Sequence, residues 1–140
     1  MSESHELSRR LNIVIPYLYP DIIWGKDYSL ENHNDGKGTI LIWLSKTITA
    51  PTDDQLANAK KPAVEDAWWQ TLRSLRNSRL QETDWSQSPD VPTKLKDKYA
   101  DYRQKLRDLP ATVSKPAYEE LIKLREVCET VPSFLPTKPE

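Results

Sequence analysis

Apolar positions along the chain fall into helical stripes interrupted by one alternating stretch. From Glu6 to Tyr19, Leu7, Leu11, Val14, Ile15 and Leu18 recur three or four apart, which places them on one face of a helix. Pro16 removes one backbone donor and Pro20 closes the segment, so a short amphipathic helix ending near Ile15 is expected. The runs Asp27–Asn32 and Thr39–Leu44 then flank the polar cluster His33–Gly38, the signature of a β-hairpin with its turn over Asp35–Gly38. The second run sets Ile40, Ile42 and Leu44 on one face and Thr39, Leu41 and Trp43 on the other. Two strands alone are marginal in water. The hairpin is therefore expected to lean on the first helix or on another chain.

Helical periodicity returns at Pro51-Thr52-Asp53-Asp54-Gln55. Thr52 and Gln55 make a capping box, and the two aspartates suit the positive end of a helix. That helix is expected to reach Thr83, breaking or restarting at Pro62, with Val64, Trp68, Leu72, Leu75 and Leu80 as its stripe. The stretch Glu82–Pro92 is a polar connector that nonetheless holds Trp85. Thr93 is placed to cap a third helix carrying Leu95, Tyr99, Tyr102, Leu106 and Leu109, at alternating spacings of four and three, a coiled-coil seam ended by Pro110. Pro116 suits the first position of a fourth helix with Ala117, Leu121, Leu124 and Cys128 on one face. The tail from Val131 is Pro-rich and reads as extended. The fold class is α+β, mainly α: an N-terminal helix and hairpin lobe over residues 1–50, a long-helix hairpin over 51–110, and a C-terminal helix with its tail over 111–140.

Composition narrows the function. The hydrophobic fraction is 37%, the charged fraction 29% and the mean hydropathy −0.72, so the core is thin for 140 residues. Eleven prolines against three glycines favour punctuated helices and stiff connectors. A net charge of −1 lacks the basic face that a nucleic-acid grip requires. Cys128 stands alone, so no intrachain disulfide forms. No signal core and no bilayer-length apolar run is visible, and a soluble chain made in a cytoplasm is expected.

Site chemistry is sparse. Asp35-Gly36-Lys37-Gly38-Thr39 suggests a phosphate loop, but the earlier glycine, with four residues between it and the Gly-Lys pair, and the Ser or Thr after the lysine are missing. A hairpin turn explains the same residues. His5, His33 and Cys128 are too few to build a structural zinc site within one chain. The Asp53–Asp54 and Glu119–Glu120 pairs sit at helix starts, where the dipole accounts for them. Arg73, Arg76 and Arg79 share a helix face, and pairing with acids of a neighbouring helix explains them better than RNA. No catalytic residue, cofactor site or metal site is expected.

One resemblance adds to this reading. Leu75–Pro110 carries Leu80, Thr83-Asp84-Trp85, Pro89-Asp90-Val91-Pro92, Tyr102-Arg103 and Leu106-Arg107-Asp108-Leu109-Pro110 in order. It resembles the tail assembly chaperone-like domain of proteins encoded beside the tail fibres of tailed phages. Upstream, Tyr19-Pro20-Asp21, Gly25-Lys26-Asp27-Tyr28, Trp43 and Pro51-Thr52-Asp53 are similar to XkdW-type proteins of phage tail gene clusters. Both resemblances imply a phage tail setting without catalysis, in the virion tail after synthesis in the host cytoplasm. The implied role is a structural or adaptor subunit bound to a tail fibre or baseplate protein, or alternatively a fibre assembly chaperone that leaves before the virion is complete. Neither nucleic acid nor membrane is an expected partner; the expected partner chain is either a fibre or baseplate protein or a second copy.

Two sets of residues carry these expectations. Trp85 is expected to fold back over Leu80 and Tyr99 or Tyr102 and seal the helical hairpin. Asp84 and Asp90 would accept bonds from backbone amides, and Pro92 would stiffen entry to the next helix. Tyr99, Tyr102, Leu106, Leu121, Leu124 and Trp43 are the expected partner-binding residues, because so thin a core should leave an apolar stripe uncovered.

Overall fold

The computed structural model describes residues 9–33 and 38–140. The positions before Arg9 over which the first helix is expected to begin, His5 among them, and most of the expected hairpin turn lie outside the described residues. The architecture is α+β and mainly α, with one antiparallel hairpin. Two compact units form. The first takes the described residues up to Ala67 together with Tyr118–Arg125; the second takes Trp68–Ala117 and Glu126–Glu140.

In the first unit, α1 (Leu11–Leu18) follows Arg10, which adopts a left-handed backbone with φ 51°. The helix runs through Pro16 instead of ending at Ile15. Pro16 and Asn12, whose carbonyl loses its donor, are both exposed, so water can satisfy the carbonyl. Strands β1 (Tyr28–Asn32) and β2 (Thr39–Trp43) pair antiparallel, Leu30 opposite Leu41. Leu11, Val14 and Ile15 of α1 form a core with Tyr28, Leu56, Ala59 and Ala63, and Leu30, Leu41 and Trp43 pack against it. The hairpin thus leans on α1 with its Thr39, Leu41 and Trp43 face inward.

Burial raises the Tyr28 hydroxyl above its ordinary pKa of 10.0. An unfolded tyrosine ionises first. The stability contributed by neutral Tyr28 is therefore full below pH 10 and is lost as pH rises through the folded value. Denaturant unfolding at stepped alkaline pH should show this decline, and Tyr28→Phe should flatten it.

The helix α2 (Asp53–Glu82) is uninterrupted. Its start is the expected capping box, with Thr52 N donating to Gln55 Oε1 at 2.8 Å and Gln55 N to Thr52 Oγ1 at 3.1 Å. Pro62 does not break it. As with Pro16, the proline and the residue four before it, Asn58, face solvent.

The expected C-terminal helix is present but only one turn long, α4 (Tyr118–Leu121). Arg10 explains the early end. Its guanidinium donates to the carbonyls of Ile122, Arg125 and Leu124, the first two at 2.8 and 2.9 Å. Those acceptors are the ones a continuing helix would need. Leu121 is buried, whereas Leu124 and Cys128 are half-buried and off any common helical stripe. Lys61 lies 5.7 Å over the Tyr118 ring, a cation–π contact within this unit.

In the second unit, Trp68 and Leu72 of α2 are fully buried. The connector contains a 3-10 turn, Asp84–Gln87. Then α3 (Thr93–Thr112) begins after Pro92, which occupies the cap without a side-chain bond; Thr93 is inside the helix, not its cap. Pro110 does not end α3, because Thr112 Oγ1 and Val113 N both donate to the Leu109 carbonyl and close the last turn. The tail is not wholly extended. Val131–Phe134 forms a second 3-10 turn that sets Phe134 edge-on to Trp68 at 5.3 Å.

Candidate protein-binding surfaces

The connector in the second unit is organised by Arg103, which is only 9% exposed. Helix α3 directs its guanidinium into the end of α2. Nη1 donates to the Leu80 carbonyl at 2.6 Å and to Thr83 Oγ1 at 2.9 Å, and Nη2 donates to Asp84 Oδ1 at 2.9 Å. Thr83 Oγ1 donates in turn to the Arg79 carbonyl at 2.8 Å, and Ser86 Oγ to the Thr83 carbonyl at 2.6 Å. Thr83 and Ser86 are both buried. Their hydroxyls, not an aromatic plug, close the helix end.

Trp85 is 49% exposed. Its ring meets Tyr99 at 5.1 Å and 63°, so it covers the hairpin with one edge and shows the rest to solvent. Asp84 accepts from Arg103 in place of the expected backbone amides, and among the described residues Asp90 makes no such bond. Pro92 offers its carbonyl to Lys96 N at 2.9 Å. A half-exposed ring loses less on truncation than a buried one. Trp85→Ala should cost about 1 kcal/mol in urea unfolding, below the 3–5 kcal/mol of a buried tryptophan.

The seam residues are placed differently from the interaction stripe expected of them. Tyr99, Tyr102 and Leu106 are buried in one cluster, against Leu80, Leu95 and Leu135 of the same unit. Leu121 is buried in the first unit. Trp43 is half-buried there, its Nε1 donating to the Ile48 carbonyl at 2.8 Å and its ring 5.4 Å from Tyr19. The chain's own tail, through Leu135, supplies cover that composition alone did not suggest.

Among the described residues the two most exposed large apolar side chains lie elsewhere, in the first unit. Trp24 is 61% exposed and Ile23 51%. They stand on a loop that is tied to itself and to both strands. Asp27 Oδ2 accepts from Ile23 N at 2.9 Å, and Asp27 N donates to the Ile23 carbonyl at 2.8 Å. Gly25 N donates to the Tyr28 carbonyl at 2.7 Å, while Leu44 N and Ser45 N both reach the Asp27 carbonyl at 2.9 Å. Gly25 has φ +86° with open space around it, so backbone conformation and not crowding selects glycine there. Sequence reasoning singled out Gly25 and Asp27 but passed over Ile23 and Trp24. The signal was two large apolar residues directly ahead of a glycine.

The arginine ridge also differs from expectation. Arg73 lies 5.8 Å over the Trp69 ring and Arg76 bonds Asn77, and among the described residues neither pairs with an acid of a neighbouring helix. His33 sits 2.9 Å from Glu31. Among the described residues no cluster of three metal-ligating side chains occurs, and no helix is long and apolar enough to cross a membrane.

Comparison with known families bears on both units. Residues 69–130 match the phage tail assembly chaperone protein family. Residues 11–76 match the XkdW protein family. The chain has a phage tail-related role. No curated protein and no solved structure matches it. The assembly-chaperone match contains Arg103, Thr83 and Asp84, and the XkdW match contains the Ile23–Trp24 loop and the hairpin.

Proposed function

We infer that the protein is a non-enzymatic tail-assembly factor that grips a tail fibre or baseplate protein through the Ile23–Trp24 loop. The observation that carries this reading is the exposed Trp24 on a loop already fixed by hydrogen bonds. Tryptophan is enriched at binding hot spots, and a pre-ordered loop loses little entropy on docking. Between a factor that departs and a subunit retained in the virion, departure is favoured. The seam on which a permanent interface would have rested is covered by the chain itself, and a single loop suits a small, transient contact.

Two measurements test this. Mass spectrometry of purified virions should find the protein absent while it co-purifies with a fibre or baseplate protein from infected cells; stoichiometric presence in the virion would favour the retained-subunit reading. Trp24→Ser should abolish the co-purification while changing stability by no more than about 0.5 kcal/mol. Undiminished co-purification of the variant would remove the loop from the interface.

A further inference from the structure

Strand β2 has an outer edge that no other strand pairs with among the described residues. Leu44 N donates to the Asp27 carbonyl, which makes Asp27 and Leu44 a hydrogen-bonded pair. The alternation of an antiparallel ladder then turns the N–H and C=O groups of Thr39, Leu41 and Trp43 away from β1. Among the described residues none of these groups has a backbone partner outside the ladder. The strand's sequence, Thr39-Ile40-Leu41-Ile42-Trp43, holds no charge and no proline, so it lacks the usual guards of an exposed edge. The β1 edge is different, since Gly25 occupies the Tyr28 carbonyl and Glu31 adds a charge. Beside the β2 edge runs an open groove of about 460 Å³, lined by Leu41, Trp43, Pro51 and Leu56 with Arg9 and Asp53.

We propose that β2 pairs antiparallel with β2 of a second copy about a two-fold axis at Leu41, joining two hairpins into one four-stranded sheet. The outward-facing residues are spaced symmetrically about Leu41. Leu41 would stand opposite the partner subunit's Leu41, and Thr39 opposite the partner subunit's Trp43, so that every outward donor and acceptor of β2 is satisfied. Ile40 and Ile42 would face each other across the non-hydrogen-bonded positions, where side chains approach most closely. Charge permits the pairing. The strand contributes none, and each groove brings one cation and one anion, Arg9 and Asp53, 3.9 Å apart. A second copy is favoured over a foreign strand because bonding positions and apolar sequence are self-complementary about one residue, as an isologous interface requires. It also relieves the marginal stability of a two-stranded sheet. This inference is independent of the Trp24 reading.

The test uses the full chain. Light scattering should give twice the 16.2 kDa monomer mass, and hydrogen exchange should show slowed amides at Thr39, Leu41 and Trp43 as dimer forms. Leu41→Pro removes an N–H that β1 does not use and should return the mass to that of a monomer. Ile40→Lys, opposite Glu31 in the chain's own ladder, provides a second variant with the core untouched and the same expected loss. A monomer at the highest soluble concentration overturns the proposal. So does a dimer in which those three amides exchange freely, or one that survives Ile40→Lys or a folded Leu41→Pro.

Discussion

Replacing Trp68 with alanine should destabilise the second unit by about 3–5 kcal/mol, the largest effect of any single truncation in the chain. Trp68 is the bulkiest fully buried side chain, at 0% exposure. Its ring is met edge-on by Trp69 at 5.2 Å and by Phe134 at 5.3 Å, and its Nε1 points to Thr130 Oγ1 at 3.5 Å. Alanine would leave a cavity on a rigid helix and also remove the surface on which the 3-10 turn Val131–Phe134 rests. Hydrogen exchange should therefore speed up at Ser133 and Leu135, whose amides bond within that tail, alongside the lower urea midpoint. Trp68→Phe retains an aromatic face and should cost clearly less. Equal losses for the two variants would show that a smaller aromatic ring recovers nothing, and that the full indole with its Nε1 is what the site requires.

The same tail shows why part of this fold was readable from sequence and part was not. Thr52 and Gln55 could be recognised because a capping box is completed within four residues. The two faces of β2 were legible for a similar reason, since alternation fixes them locally; that the Trp43 face turns inward depends on the packing of α1 and α2. The stripe Tyr99, Tyr102, Leu106 was correctly periodic, but its cover arrives from Leu135, far along the chain and within a Pro-rich stretch that reads as extended. Pro16 and Pro62 signal breaks in the sequence that the helices do not have. A proline costs a helix one donor, and on a solvent-facing side water replaces it. The fourth helix was overestimated because its carbonyls are taken by Arg10, a residue more than a hundred positions earlier whose buried charge has no local signature. Trp24 was missed because its exposure depends on Asp27 closing the loop, which no spacing rule encodes.

Arg103 supplies the second large effect, and it separates two accounts of the connector. Removing the guanidinium with Arg103→Met should cost about 2–3 kcal/mol, because charge-assisted bonds to buried acceptors are lost while the aliphatic stem is retained. Asp84 is the visible ion-pair partner, but its side chain is largely exposed, so Asp84→Asn should cost less than about 1 kcal/mol. The stabilising contacts are those to the Leu80 carbonyl and Thr83 Oγ1, which close the end of α2 where backbone acceptors would otherwise be left over. Lysine cannot serve three acceptors set in a fork, so Arg103→Lys should recover little of the loss. Added salt should barely change the Arg103→Met deficit, since the bonds at stake are shielded from solvent. Exchange at Ser86 and Ser88, whose amides belong to the turn, should accelerate in both Arg103 variants and stay near wild type in Asp84→Asn. If Asp84→Asn instead matches Arg103→Met in urea, the exposed ion pair governs the loop and the buried acceptors do not.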